Sequence, residues 1–137
     1  MQCSDWERAQ DADPVIKRMK SLMEEYGDVE HLVPELAEVK HLCQHWNLLE
    51  IINGVVTRVM RDLTEQKVYA RLVPAAMRIE FFQRVHGHAA GHFGYAKIYP
   101  LFSERFFWHG MSLDIGKWLK CCALCQRMKP VPSQVYG

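Results

Sequence analysis

The chain lacks a long hydrophobic segment: it has no run of 18 apolar residues, so the sequence predicts no transmembrane helix and no membrane partner. Its N-terminus, MQCSDWERAQDADP, is polar and acidic and fits neither a signal peptide nor a basic transit peptide. The five cysteines are an odd number, and Cys121 adjoins Cys122, which suits a disulfide framework poorly. We therefore expect an intracellular protein whose thiols stay reduced.

Catalytic motifs are also missing. The sequence contains no G-x-x-x-x-G-K-[ST] phosphate loop, no nucleophile elbow and no H-E-x-x-H motif. Acidic residues are numerous only near the N-terminus, where a solvated face is the simplest interpretation. The sequence therefore indicates a chain that is not itself an enzyme and has no small-molecule substrate.

Net charge is small, +1 over 137 residues, but it is unevenly distributed. Residues 1–50 hold 11 Asp/Glu against 5 Lys/Arg, whereas residues 51–137 hold 12 Lys/Arg against 5 Asp/Glu. A basic half is compatible with nucleic-acid binding, and equally with a solvated basic surface. Charge alone does not decide between these two interpretations.

The first 72 residues change from a helical to a strand-like hydrophobic period. Asp13-Pro14 predicts a helix start and Gly27 its end, and Pro34 opens a second helix. Asn53-Gly54 between two apolar segments predicts a β-hairpin, with a third strand over 67–73. We expect an α+β fold: an N-terminal extension (1–72) of two helices with a β-hairpin or three-strand meander, then a helical bundle (73–130) and a linker (131–137).

Three helices are predicted after Pro74. The first ends at His86, the second spans roughly Tyr95 to Arg105 with Pro100 inside it, and Ser112 caps the third. In the third helix the residues expected to be buried are Leu113, Ile115, Trp118 and Leu119. For the aromatic run 106–108 we favour core packing over a base-stacking platform.

Four metal ligands are predicted in the second half: His86 and His92 (H-x5-H), then Cys122 and Cys125 (C-x2-C). Two imidazoles and two thiolates form a closed tetrahedral zinc site, which leaves no open position for water or substrate. A unit this small buries too little apolar surface to fold without a metal, so we expect residues 73–130 to form a zinc-stapled helical bundle around one structural Zn²⁺. His88 is an alternative to His86, and Cys121 to Cys122.

A second histidine and cysteine cluster lies at 41–45. His41 and His45 are an i, i+4 pair, but Cys43 points elsewhere on a helix, and the sequence offers no fourth ligand. We interpret the cluster as a surface histidine pair with a core cysteine. Cys3, near the N-terminus, is expected to be frayed and to have no role.

Residues 73–130 resemble the zinc-binding (HHCC) N-terminal domain of gypsy-type LTR retrotransposon and retroviral integrases. The similarity rests on the segments Val73-Pro74, Ala90-Gly91-His92-Phe93-Gly94, Phe106-Phe107-Trp108, Gly110-Met111 and Cys122-Ala-Leu-Cys125-Gln126. More weakly, residues 1–72 resemble the extension that precedes this domain in such integrases. That extension has a Gln-x-x-Asp helix, matched here by Gln10 to Asp13, and a short β-hairpin. The sequence departs from the family pattern at three points. Pro100 interrupts a predicted helix, His109 stands where the family usually has Pro, and the gap between His86 and His92 is one residue shorter than the family's.

This resemblance implies that His86, His92, Cys122 and Cys125 hold zinc in a domain that supports integrase multimerisation and contacts DNA, in the nucleus. We expect weak, salt-sensitive DNA binding without strong sequence preference. The candidate contacts are basic residues near the C-x2-C motif and the helix before it: Arg105, Lys117, Lys120, Arg127 and Lys129. The chain ends where an integrase catalytic core would begin, so we expect part of a longer integrase polyprotein or a host-retained fragment. The alternative is a domesticated protein–protein interaction module without a DNA role.

Overall fold

Helices and strands are distributed over the residues that the computed structural model describes, 2–26, 36–86 and 95–121. Within these ranges the helices are α1 (Cys3–Asp11), α2 (Pro14–Glu25), α3 (Ala37–Cys43), α4 (Arg78–Arg84), α5 (Tyr95–Ser103) and α6 (Met111–Cys121). The strands are β1 (Leu49–Ile52), β2 (Val55–Arg61), β3 (Lys67–Leu72) and β4 (Phe106–Phe107). Short 3-10 helices, Trp46–Leu48 and Ala75–Met77, precede β1 and α4. The predicted α+β class is confirmed.

The four strands form one sheet in the order β1-β2-β3-β4. β1, β2 and β3 are an antiparallel meander, as predicted, with Ile52 opposite Val55. Asn53 and Gly54 make the turn with φ angles of 52° and 79°, the left-handed region that a two-residue primed turn requires. A Cβ at Gly54 would also collide with the carboxylate of Glu7.

The fourth strand, β4, was not predicted. It lies parallel to β3, with Arg71 opposite Phe106 and Leu72 opposite Phe107. The pairing continues in a hydrogen bond of 3.0 Å from the Val73 N–H to the Phe107 carbonyl. The sheet therefore includes residues from both sides of position 73.

Asp13 and Pro14 begin α2 as predicted. Asp13 Oδ1 accepts hydrogen bonds from the N–H groups of Val15 (2.9 Å) and Ile16 (3.1 Å). These N–H groups lie in the first helical turn, where no intrahelical carbonyl is available to accept from them. The second oxygen, Oδ2, accepts from the Ala75 N–H at 2.9 Å. Asp13 thus joins the start of α2 to the segment that leads into α4.

Residue patterning did not predict α1, and the resemblance placed a helix only around Gln10 to Asp13. The helix is ordered by one large apolar contact, because Trp6 is buried. Cys3 begins α1, and its Sγ lies 3.7 Å from Nη2 of Arg71, which donates to it. The prediction that Cys3 lies in a frayed terminus was wrong, because the burial of Trp6 holds this helix on the sheet.

Gln10 is completely buried and lies between β2 and β3. Its Nε2 donates to the carbonyls of Val56 (3.0 Å) and Leu72 (2.8 Å), and its Oε1 accepts from the Val56 N–H (2.7 Å). The β2–β3 ladder ends at Thr57 opposite Arg71, one step before Val56 and Leu72. The side-chain amide of Gln10 therefore takes the place of the next backbone hydrogen bonds of the β2–β3 ladder.

Two apolar clusters form the core of the part of the chain that the structure describes. One joins α2, α3 and the meander, and includes Ile16, Met19, Leu22, Val39, Leu42, Val56, Leu72 and Phe107. The other joins α1 to α4, α5 and α6, and includes Trp6, Val55, Phe81, Phe82, Ile98, Phe102, Trp108 and Ile115. Both clusters contain side chains from before and after residue 73, so the two segments pack against each other.

Helix α6 begins two residues earlier than predicted. The Asp114 N–H donates to the Gly110 carbonyl, so the helix starts at Met111 and Ser112 is not its cap. With this start, Met111, Ile115 and Leu119 form the buried stripe. Leu113, predicted to be buried, is 73% exposed because it lies on the opposite side of the helix.

Several predictions lie outside the described residues. They concern Gly27, Pro34, His88, His92, Cys122, Cys125, Arg127, Lys129 and the linker 131–137. In the described ranges, no helix is both long and apolar enough to cross a bilayer.

Candidate metal centre

His86 is the one predicted zinc ligand that lies among the described residues. It follows α4 in a wide helical turn, and only 4% of its surface is exposed. Its imidazole stacks on the ring of Phe82, one turn earlier in the chain, at a centroid distance of 5.1 Å and an interplanar angle of 16°. The end of α4 therefore fixes the ring in an apolar environment.

An aromatic cluster surrounds this position. Phe82 contacts Trp118 of α6 at 5.3 Å and Phe102 of α5 at 6.1 Å, and Trp118 contacts Trp108 at 6.0 Å. Trp108 is buried, as is Phe107, and Phe106 is partly buried. The interpretation of residues 106–108 as core is confirmed.

Polar contacts hold Trp108 in place. Its indole N–H donates to Asp114 Oδ2 at 2.9 Å, and the Arg78 guanidinium lies 5.6 Å from its ring centroid. Arg78 Nε also donates to the Val73 carbonyl at 3.1 Å. Burial lowers the pKa of Arg78, while the carboxylates of Glu38, Asp13 and Asp114 oppose that shift. Arg78 remains the cation that links β3 to the start of α6.

The burial of His86 bears on the chemistry of the predicted donor set. His86 is buried, as expected for an imidazole that closes a structural zinc site. No group of three or more potential ligands occurs among the described residues, and three of the four predicted ligands lie outside them. Buried His86, with the two cysteines after α6, fits a nitrogen and sulfur donor set typical of Zn²⁺.

The other histidine cluster has a different arrangement. His41 stacks on His109 at 4.0 Å with an interplanar angle of 4°, and His45 meets Phe107 edge-on at 4.9 Å. Burial lowers the pKa of His45, and positive charge on Arg58 and His109 adds to that effect. The pairing of His41 with His109 was not predicted, because 68 residues separate them in the sequence.

The predicted DNA contacts that lie among the described residues are exposed. Arg105 follows α5, and Lys117 and Lys120 lie on the solvent side of α6. The prediction that at least one of the two lysines faces solvent is confirmed.

Comparison with known protein families agrees with these features. Residues 73–131 match the family described as Integrase zinc binding domain. The matched segment contains the four predicted ligands together with α4, α5 and α6, so the predicted resemblance of this part of the chain to an integrase zinc-binding domain is confirmed; the domain that this family describes is non-catalytic. No curated protein and no solved structure shows a significant match.

Proposed function

We propose that this chain binds one structural Zn²⁺ through His86, His92, Cys122 and Cys125, and that the metal holds a helical unit together. Four protein ligands leave no open position for substrate. The observation that carries the proposal is the buried position of His86 at the end of α4, inside the family match.

Contacts next to two of the proposed ligands support this assignment. Phe82 precedes His86 by four positions in the sequence, and Trp118 precedes Cys122 by four. The rings of Phe82 and Trp118 are 5.3 Å apart, so α4 and α6 meet four positions before the proposed ligand that follows each ring in the sequence. A metal at this end would fasten helices that already pack together.

Zinc content of purified variants tests the ligand set. Cys122→Ser and His92→Ala should lose stoichiometric zinc and much of the helical circular dichroism, because metal-binding energy at such sites is largely folding energy, on the order of 10 kcal/mol. Cys121→Ser is the matched control, since Cys121 is exposed on α6 and should keep its zinc. Retention of zinc by Cys122→Ser, with loss in Cys121→Ser, would transfer the role to Cys121. The pair His86→Ala and His88→Ala decides between those two histidines in the same way.

We further propose that the zinc-bound domain acts in DNA integration by binding DNA and by supporting self-association, in the nucleus. The family match and the exposed cations Arg105, Lys117 and Lys120 support the DNA role. Lys and Arg beside a rigid metal site would contact phosphates without reading bases. Arg127 and Lys129 are proposed to extend the same surface.

A salt titration of duplex DNA binding tests this role. Each phosphate contact contributes about −0.9 to the slope of log K against log salt, so Lys117→Gln with Lys120→Gln should weaken binding and reduce the slope by about 2. Lys17→Gln with Lys40→Gln removes the same charge from exposed positions elsewhere and should change the slope little. Affinity that is independent of salt, or unchanged in the first pair, would refute the DNA role. The domesticated protein-interaction module would then replace it.

Self-association needs a separate measurement. Light scattering with and without a chelator should show a zinc-dependent oligomer whose mass does not require DNA. A monomer at all concentrations, with zinc bound, would remove multimerisation from the proposal.

A further inference from the structure

A cleft of about 430 Å³ opens between α1, β3, β4 and α4. The side chains that matter for its chemistry are Trp6, Tyr69, Arg71, Arg84, Arg105 and Phe106. Its volume is within the range of small-ligand sites. Lys117 and Lys120 do not line this cleft, so it is distinct from the surface of α6.

Strand geometry brings two of these cations together. Tyr69 and Arg71 are two positions apart on β3, so their side chains lie on the same face of the sheet, toward the cleft. Ala70 and Leu72 are buried on the other face. The Arg71 N–H donates to the Arg105 carbonyl at 3.0 Å, where the chain enters β4. Arg71 and Arg105 are therefore backbone neighbours, although 34 positions separate them in the sequence.

The inner wall of the cleft is aromatic. Trp6 and Phe106 stack at 6.0 Å with an interplanar angle of 27°, and Phe81 meets both rings. The Arg71 guanidinium lies 5.4 Å from the Trp6 ring centroid. Tyr69 stands at the opening and is 51% exposed. A planar aromatic ligand could stack on the exposed Tyr69 ring, with the apolar rings of Trp6 and Phe106 behind it.

The electrostatics of the cleft favour an anion. Three guanidinium groups line it, and no carboxylate does among the described residues. Arg84 pairs with Glu80 at 2.7 Å, but both side chains are more than half exposed, so this ion pair is weak enough for a phosphate to replace it. A guanidinium can donate two parallel hydrogen bonds to phosphate, which Lys cannot.

We propose that this cleft binds single-stranded nucleic acid: Arg71, Arg84 and Arg105 contact phosphates, and a base stacks on Tyr69 against the Phe106 wall. A cationic groove combined with stacking rings suits a single strand, because the bases of a duplex are not free to stack on protein. The proposal goes beyond the duplex contacts proposed for α6 and shares only Arg105 with them.

Fluorescence anisotropy with a labelled 12-residue oligodeoxythymidylate and with a random-sequence duplex tests the proposal on the zinc-loaded chain. Tyr69→Leu keeps an apolar side chain but removes the ring, and should weaken single-strand binding about tenfold while leaving duplex binding within about twofold. Arg84→Gln should weaken single-strand binding by a similar factor and reduce its salt dependence. Lys17→Gln is the control for a lost exposed charge, and circular dichroism and zinc content verify folding.

Each outcome decides the matter. Selective loss of single-strand binding in Tyr69→Leu and Arg84→Gln supports the cleft. Equal loss for both probes, or no loss for the single strand, overturns it. Lys117→Gln with Lys120→Gln is measured on the same two probes, so failure of the duplex role is seen separately. Duplex binding would then be unchanged in this pair, whereas the Tyr69→Leu result would still report on the cleft.

Discussion

Replacing Gln10 should remove more stability than replacing any exposed glutamine of this chain. The side-chain amide of Gln10 is the hydrogen-bond partner of three backbone groups: the N–H and carbonyl of Val56 and the carbonyl of Leu72. All three contacts lie in the buried interior, where water is excluded. Gln10→Leu keeps most of the side-chain volume but can neither donate to these groups nor accept from them.

The expected magnitude follows from the number of groups left without partners. A buried backbone donor or acceptor without a partner costs about 1–3 kcal/mol. Val56 and Leu72 are the next positions of the β2–β3 ladder, so the strands can close partly and recover some of this energy. We expect Gln10→Leu to lose about 3–5 kcal/mol, a large share of the roughly 5–15 kcal/mol of a typical domain.

Urea unfolding of the zinc-loaded protein, followed by tryptophan fluorescence, measures this loss. Gln83→Ala is the matched control, because Gln83 is exposed on α4 and its replacement should change stability by less than about 0.5 kcal/mol. Gln10→Glu adds a diagnostic: its carboxylate would face two carbonyls when ionised, so this variant should gain stability on acidification relative to Gln10→Leu. If Gln10→Leu lowers the free energy of unfolding by less than about 1 kcal/mol, the Gln10 amide does not substitute for backbone hydrogen bonds between β2 and β3.

Three further predictions concern other contacts. Asp13→Ala removes a helix cap and the acceptor for the Ala75 N–H, and should lower the free energy of unfolding by about 2–3 kcal/mol; thermal denaturation would show an unchanged melting temperature if both contacts are dispensable. Because the pKa of His45 is lowered, the native state favours its neutral form, and stability should be lost as pH falls below its usual value of about 6.5; His45→Gln should reduce that pH slope, and an unchanged slope would contradict the assignment. Chelating zinc should remove hydrogen-exchange protection from residues 74–130 while the hairpin at 49–61 stays protected, because the β1–β2 ladder contains no residue of the zinc-binding segment; loss in both segments together would indicate that the shared sheet and core make one cooperative domain.

Local signals account for the parts of the fold that the sequence predicted well. Asp13-Pro14 and Asn53-Gly54 each encode a backbone geometry within a few residues, and both the start of α2 and the hairpin were correct. The start of α6 was wrong by two residues, and Leu113, predicted to be buried, lies on the exposed side of the helix. Short-range patterns therefore fixed the type of each element better than its exact start.

Long-range contacts explain what the sequence could not predict. Strand β4 has only two residues, and its partner in β3 lies 35 positions earlier, so no local pattern marks it as a strand. The spacing of apolar residues could not predict the burial of Gln10, because glutamine is polar. The family resemblance had drawn attention to Gln10 and Asp13 but not to their contacts. Of the candidate metal site, the described residues include His86 alone, and its burial was expected from the apolar face of its helix.

Folding order follows from the parallel pairing of β3 with β4. The meander β1–β2–β3 is joined by short turns, so its contacts are local and fast to form. A parallel pair cannot be closed by a hairpin: Arg71 and Phe106 meet only after the intervening crossover, which includes α4 and α5, has been laid across the sheet. During synthesis the meander also leaves the ribosome first. We therefore expect the segment that carries the proposed zinc ligands to be added late, onto a sheet edge that is already in place.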